Sequence, residues 1–324
     1  MPTTPIDFDE ASSILGRLAA GLERSIVGRR PLLDRMIIAF LAGGHVLIEG
    51  VPGLAKTRAA RTMARALDLP FRRIQFTPDL LPADLTGTQI YRPATGTFDV
   101  RPGPIVTSVL LADEINRAPA KVQSALLEAM QERQITVGDE TIRLPETFWV
   151  LATQNPIEHE GTYPLPESQL DRFLMKLVVD YPARDAELAM LDLPADAEAE
   201  TDPIVDRATI ARLRATTAAV TTVDAIKQYI VDIVRATRDP ASYGLADTSA
   251  LIELGAGPRA SLALLATAKA HALLAGRDYV VPHDVKSIAR EVLRHRLIVS
   301  FEAEAEGIAA DALIDRILDR MKVP

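Results

Sequence analysis

The sequence predicts an α/β fold: a mainly parallel sheet wrapped by helices, continued by a helical C-terminal part. Short apolar runs bounded by turns alternate with helix-period segments before Pro182, the pattern of a parallel sheet with crossover helices. After Pro182, Ala, Leu, Asp and Glu dominate and β-rich runs become scarce. The size agrees, since 324 residues, 48% hydrophobic and 25% charged, can bury a real core and suggest two domains.

In order along the chain, residues 9–27 set Ile14, Leu15, Leu18, Leu22 and Ile26 at helical spacing, with Gly28 as a stop. A second helix opens near Pro31, carries Leu32, Leu33, Met36, Ile37 and Phe40 on one face, and ends at Gly43-Gly44. Residues 45–49 then read as a short buried strand, with further strands at 71–76, 108–112, 148–153 and 173–179 and helices at 56–67 and 119–133. Two β-hairpins interrupt the alternation. One spans 89–105 around Ala94-Thr95-Gly96-Thr97, the other 134–144 around Gly138-Asp139. Helices at 222–238, 258–275, 282–294 and 308–322 carry the chain onward, and the stretch 193–203, with Ala, Glu and Asp between two prolines, reads as a linker. The expected division is a nucleotide-binding α/β core over 1–185, a linker over 186–205 and a helical domain over 206–324.

Composition removes several function classes. Cysteine is absent, which excludes disulfide frameworks, thiol nucleophiles and cysteine–zinc sites and fits a reducing compartment. Lys and Arg against Asp and Glu number 20 and 23 over residues 1–185, and 16 and 21 over 186–324, for a net −8. Neither half is basic, which speaks against a nucleic-acid-binding domain. The start of the chain has no basic n-region followed by an apolar stretch, and the most apolar region, 36–55, is broken by a Gly-Gly pair, His45, Glu49 and Pro52. A cytoplasmic protein without a membrane span is expected. His45, His159, His271, His283 and His295 show no metal-ligand spacing and read as structural. Aromatics make up 5% and form no stripe among basic residues that would stack bases.

The chemistry concentrates at two places. Gly50-Val51-Pro52-Gly53-Leu54-Ala55-Lys56-Thr57 follows the first strand and opens a helix, the context that a phosphate-binding loop requires. Small residues let backbone N–H groups turn inward on phosphates, the helix N-terminus adds its dipole, Lys56 reaches the β/γ oxygens and the Thr57 hydroxyl suits magnesium. Ala55 stands where glycine usually precedes the lysine, which calls for a negative φ there as the helix begins. The second place is Val109-Leu110-Leu111-Ala112-Asp113-Glu114, an apolar strand ending in two acids. Asp113 is placed to hold magnesium, usually through water, and Glu114 to polarise an attacking water. Strand neighbours face opposite ways, so the two acids take separate jobs.

With these motifs stand Gln75-Phe76-Thr77-Pro78-Asp79-Leu80-Leu81-Pro82-Ala83-Asp84-Leu85-Thr86-Gly87, Leu111-Ala112-Asp113-Glu114-Ile115-Asn116-Arg117-Ala118 and Ala152-Thr153-Gln154-Asn155-Pro156. On them the chain resembles the MoxR family of AAA+ ATPases over nearly its whole length. The resemblance implies an AAA+ P-loop αβα domain with a five-stranded parallel sheet, the two hairpins as helix-2 and pre-sensor-1 insertions, and an all-α lid. It implies ATP/ADP and Mg2+ as ligands. It places Asn155 at the sensor-1 position, although an Asn-Pro turn explains that pair as well by spacing alone. Arg172, in Leu170-Asp171-Arg172-Phe173, matches the arginine finger that acts on a neighbouring subunit, against a bland intrachain pair with Asp171 or Glu167. Arg259, in Gly257-Pro258-Arg259-Ala260, matches sensor 2, with a capping or surface arginine as the alternative. Val27 and Gly28 border the adenine.

The expectation is therefore a magnesium-dependent ATPase of a ring, a hexamer by resemblance, that remodels or matures protein partners, among them von Willebrand factor A-domain proteins. The alternatives at this stage are a nucleic-acid translocase, a magnesium-chelatase-like motor subunit, and a nucleotide-gated binding scaffold with little turnover.

Overall fold

The computed structural model describes residues 4–26, 28–51, 53–156, 161–191 and 202–324. Val27, Pro52, His159 and most of the expected linker lie outside them. The chain opens with α1 (Phe8–Ser25), whose start is capped by Asp7 accepting from the Asp9 N–H, and α2 (Arg30–Leu41), with Pro31 in its first turn. Then come β1 (Val46–Glu49), α3 (Lys56–Ala66), β2 (Phe71–Gln75) and α4 (Pro82–Thr86), followed by the first hairpin, β3 (Gly87–Arg92) with β4 (Thr97–Pro102). Next are β5 (Val109–Asp113), α5 (Ala120–Glu132), the second hairpin of β6 (Gln134–Val137) with β7 (Glu140–Arg143), and β8 (Trp149–Gln154). The one-turn helix α6 (Glu167–Leu170), β9 (Met175–Val178) and α7 (Arg184–Leu191) complete this half.

The five strands lie in the order β2-β5-β8-β1-β9, each pair parallel. Both faces of the sheet are covered, which is why its strands read as continuous apolar runs. In β5 the alternation splits them cleanly. Val109 and Leu111 join the core under α1, α2 and α3, whereas Leu110 and Ala112 join the core under α4 and α5. Both hairpins form where the sequence places them; the first carries Tyr91 and Phe98 exposed, their rings 5.2 Å apart.

The C-terminal part contains α8 (Arg207–Ala219), α9 (Asp224–Arg238), β10 (Ile252–Leu254), α10 (Pro258–Leu274), α11 (Pro282–Leu293), β11 (Ile298–Val299), α12 (Phe301–Ala305) and α13 (Ala310–Arg320). It departs from an all-α lid in one respect: β10 and β11 form a short antiparallel ribbon. The Ser300 N–H bonds the Leu251 carbonyl beside it, so the ribbon ties the start of α12 back to the segment before α10. The apolar core does not stop between the two halves. Leu15, Phe40 and Met63 belong to the same buried cluster as Leu213, Ile230, Leu264 and Ile314. The N-terminus is drawn into the same junction: Ile6 is buried, its N–H donates to the Thr216 hydroxyl at 3.0 Å, and that hydroxyl donates to the Ile6 carbonyl.

Two histidines sit inside this fold as structural groups. His45 accepts the Val150 N–H on Nδ1 at 3.0 Å and turns Nε2 to the Met130 carbonyl at 3.3 Å. Burial, reinforced by the charge of Arg133, pushes its pKa down to about 4. Burial, with Arg296 beside it, likewise holds His295 well below the ordinary value. Below about pH 6.5 the unfolded chain takes up a proton at His45 that the folded chain refuses until about pH 4, so stability falls as pH falls through that window, and His295 acts in the same direction. Urea unfolding at pH 7.5 and pH 5.0 is expected to show a loss of about 2 kcal/mol from His45 alone, and a His45→Phe variant a flatter profile.

Candidate functional site

The C-terminal ends of β1, β5 and β8 meet along one edge of the sheet, the place where open α/β sheets bind ligands. The register sets them level: Glu49 pairs Gln154 and Ala112 pairs Ala152. The loop leaving β1, the acids ending β5 and the asparagine following β8 are therefore neighbours. The Gly50 N–H donates to the Gln154 carbonyl at 3.3 Å, and a side chain at Gly50 would stand 2.6 Å from the Val179 carbonyl. Gly53 turns the loop with φ +84°. Leu54 anchors it in the core, Val51 packs against that core, and Thr57 is half-buried in the first turn of α3.

Ala55 overturns the expectation of a negative φ. It sits at φ +59°, ψ +18°, left-handed, as the residue before the first turn of α3. The helix start is thus formed at the cost of local strain in a non-glycine residue, about 1–2 kcal/mol. Lys56 folds its ammonium back onto the Gly50 carbonyl. Burial lowers the Lys56 pKa, opposed by the charges of Asp113, Glu114 and Glu49, which puts the lysine and the acid pair within electrostatic reach of each other.

The acids are arranged differently from simple strand alternation. β5 ends at Asp113, and Glu114 leaves it with φ +57°. A hydroxyl on the neighbouring strand explains the bend. Thr153 donates to Asp113 Oδ1 at 2.5 Å and accepts the Glu114 N–H at 2.8 Å. Asp113 Oδ2 takes Arg73, through Nε at 3.0 Å and a terminal nitrogen at 2.7 Å. Glu114 Oε2 is held by Gln75 at 2.6 Å and by Arg117 at 3.1 Å. Arg73, Gln75, Arg117 and Thr153 were not anticipated. The available signal is that Arg73 and Gln75 sit two apart, on one face of an edge strand whose last residue pairs Asp113.

Asn155 is buried immediately after β8. Arg172 is half-buried, and among the described residues its guanidinium has no ion-pair partner, so neither Asp171 nor Glu167 takes it. Asp171 is occupied otherwise: Arg296 donates to Oδ1 at 2.8 Å and Arg259 to Oδ2 at 3.3 Å. Arg259 thus meets the residue before Arg172, at the start of α10. Gly28 has φ +72° and lies against Ala186 of α7. With Arg29, Val179, Asp180, Arg290 and Arg294 it lines a recess of about 490 Å³ beside the end of β9. Arg29 is buried there and donates to the Asp180 carbonyl at 2.6 Å.

Residues 45–175 match the model of the ATPase family associated with various cellular activities, and residues 245–317 match that of the AAA lid domain. "Chaperone MoxR1" of Mycobacterium tuberculosis is 47% identical over 96% of this chain and 82% of its own length. "Protein MoxR" of Paracoccus denitrificans is 34% identical over 94% and 95%. The chain belongs to the MoxR family of AAA+ ATPases. A second bacterial relative, YeaC of Bacillus subtilis, is 45% identical over 98% of this chain and 97% of its own. The fold is also that of a crystal structure from Cytophaga hutchinsonii, provisionally called an ATPase, with TM-score 0.90 and 44% identity over 97% of this chain and 96% of that one. Membership of this family implies nucleotide binding, and the match over residues 245–317 accounts for that helical segment as a lid. Among the described residues no helix is long and apolar enough to cross a membrane.

Replacing Ala55 by glycine removes the left-handed penalty at the loop. The variant is expected to be about 1 kcal/mol more stable than the parent in urea unfolding.

Proposed function

We propose that this MoxR-family protein hydrolyses ATP to ADP and phosphate at subunit interfaces of a ring, a hexamer by family resemblance, and couples the cycle to remodelling of protein partners. The observation that carries the reading is the convergence of Lys56, Asp113 and Glu114 at one sheet edge, with Thr153 fastening the two acids. The loop 50–57 cradles the phosphates, and Lys56 exchanges the Gly50 carbonyl for phosphate oxygens. Glu114 polarises the attacking water once its carboxylate is released from Gln75 and Arg117. Asn155 orients that water and the γ-phosphate.

The donor set fits magnesium: a hydroxyl at Thr57 and a carboxylate at Asp113 are hard oxygens. Magnesium keeps several waters and leans on substrate phosphates, so one or two protein oxygens would suffice to hold it. When bound, the ion neutralises charge between the phosphate oxygens. Arg172 serves a neighbour's nucleotide, and the lack of an ion-pair partner for it among the described residues supports that role. Arg259 acts as sensor 2, Val27 and Gly28 border the adenine, and the recess at Gly28 suits the base. The core is proposed to end near residue 185 and the lid to begin near 206, across a 186–205 linker. Protein clients are supported by the relative named a chaperone, von Willebrand factor A-domain proteins are proposed among them from the family resemblance alone, and the cysteine-free composition suits the cytoplasm.

Lys56→Ala is expected to abolish nucleotide binding in equilibrium titration with ATP. Glu114→Gln should bind ATP as the parent does and turn it over 10²–10⁴-fold more slowly, on the order of what a general base contributes; full turnover sinks the assignment. Mixed Arg172→Ala and Lys56→Ala subunits are expected to recover part of the activity that each lacks alone, and no recovery at any ratio would count against a finger acting between subunits.

A further inference from the structure

At the opposite end of the sheet from the phosphate loop lies a recess of about 710 Å³, between α8 and the segments that lead into β5 and β8. Val106, Pro145 and Ile210 give it apolar walls, and Arg133, Arg207 and Arg214 line it. Two of these guanidiniums converge on one carbonyl. Arg133, the left-handed residue that ends α5, donates to the Glu146 carbonyl at 3.0 Å and to the Gly43 carbonyl at 3.3 Å. Arg214 donates to the same Glu146 carbonyl at 3.2 Å and to the Phe40 carbonyl at 3.1 Å, and its guanidinium carbon lies 4.5 Å from the centre of the Phe40 ring. Arg207 is exposed at the first turn of the same helix.

Among the described residues none of the three has a carboxylate within ion-pair distance. The inward-facing arginines elsewhere in the lid are different: Arg277 meets Asp284, Arg294 meets Asp311 and Arg296 meets Asp171. Burial, and next the charge of Arg133, pushes the Arg214 pKa down to about 10 against the pull of the Glu146 carboxylate. The carbonyl contacts use two N–H groups on each guanidinium, and a guanidinium has five. Against three arginines the described lining holds one acid, Glu146, whose carboxylate acts on Arg214 from beyond ion-pair distance. The recess therefore keeps an excess of positive charge, and forked N–H donors match the oxygens of a carboxylate or phosphate.

We infer that this recess binds a compact anion, a carboxylate or phosphate group, held by Arg133, Arg207 and Arg214 between the core and the lid. The site spans both halves. Arg133 also closes the base of the second hairpin, since its carbonyl accepts the Leu144 N–H at 2.9 Å, and the other two arginines ride on α8. An anion seated here locks α8 to the end of α5 and so biases the lid position from the side of the sheet remote from the nucleotide.

Thermal unfolding tests this in protein saturated with ADP and magnesium, so that the phosphate loop is filled. Inorganic phosphate and succinate are each compared with sodium chloride at matched ionic strength. General salt stabilisation acts on parent and variant alike, so the difference between them decides. At least one anion is expected to raise the midpoint of the parent by about 2 °C more than that of Arg207→Gln and Arg214→Gln. Phosphate alone identifies a phosphate group, succinate alone a carboxylate, and both an anion of either kind. The shift should persist in Lys56→Ala, measured without nucleotide because that variant is expected to bind none, which separates this site from the phosphate loop. Arg207 is exposed and makes no ion pair among the described residues, so its variant folds even if Arg214→Gln does not. Equal shifts in the parent and Arg207→Gln, or loss of the shift in Lys56→Ala, overturn the proposal.

Discussion

The level ending of three parallel strands is the constraint on which the site depends. A sheet side chain repeats every two residues, so a slip of one between β5 and β8 sends Thr153 to the other face. Asp113 then loses its hydroxyl donor and the Glu114 N–H its acceptor. The register is protected by burial on both faces: Val109, Leu111, Val150 and Leu151 are fully enclosed, and a slip exchanges two packed cores at once. The geometry of the acid pair is therefore fixed by hydrophobic packing a few residues upstream of the polar groups.

Most of the fold was legible because this packing writes itself into composition. Doubly covered strands read as apolar runs, and the amphipathic helices α1, α9, α11 and α13 bury regular stripes such as Ile226, Ile230, Ile233 and Val234. α8 escaped prediction because its inward face mixes Ile210 and Leu213 with Thr216 and Thr217, whose hydroxyls bond back to helix carbonyls. The β10–β11 ribbon is too short to leave an alternation. In the site, the loop and the acids announced themselves by residue type. The left-handed backbones of Ala55 and Glu114 did not, because nothing local to either residue favours that conformation; at Glu114 the Thr153 hydroxyl of the neighbouring strand holds it. Arg73 and Gln75 were hidden in a similar way, since polar residues on an edge strand look solvated until the neighbouring strand is placed beside them.

The lid is joined to the core by charge as well as by apolar contact. Arg296 is nearly enclosed, donates to the carbonyls of Phe173 and Leu174, and meets Asp171 at 2.8 Å. Arg259 reaches the other oxygen of that carboxylate from the exposed start of α10. The weight of this junction rests on Arg296, whose guanidinium is enclosed while the Asp171 carboxylate stays partly exposed. Exposed pairs such as Arg259–Asp171 contribute about 0–1 kcal/mol, and with one partner partly exposed the Arg296 pair falls below the ~3–5 kcal/mol cost of breaking a fully buried one. Two lid helices thus converge on the residue that precedes Arg172, and lid orientation is registered at the segment between α6 and β9.

The bond between Ile6 and Thr216 has a consequence in time. Residue 6 leaves the ribosome 210 residues ahead of its partner, an interval on the order of ten to forty seconds at bacterial or eukaryotic elongation rates. Through that interval the N-terminal segment has no place to settle. The faces of α1 and α2 that end up beneath α8 and α10, Phe40 among them, stay open as well. The phosphate-loop half therefore emerges with an uncovered apolar flank, and the chain is most vulnerable to aggregation and proteolysis in the middle of its own synthesis.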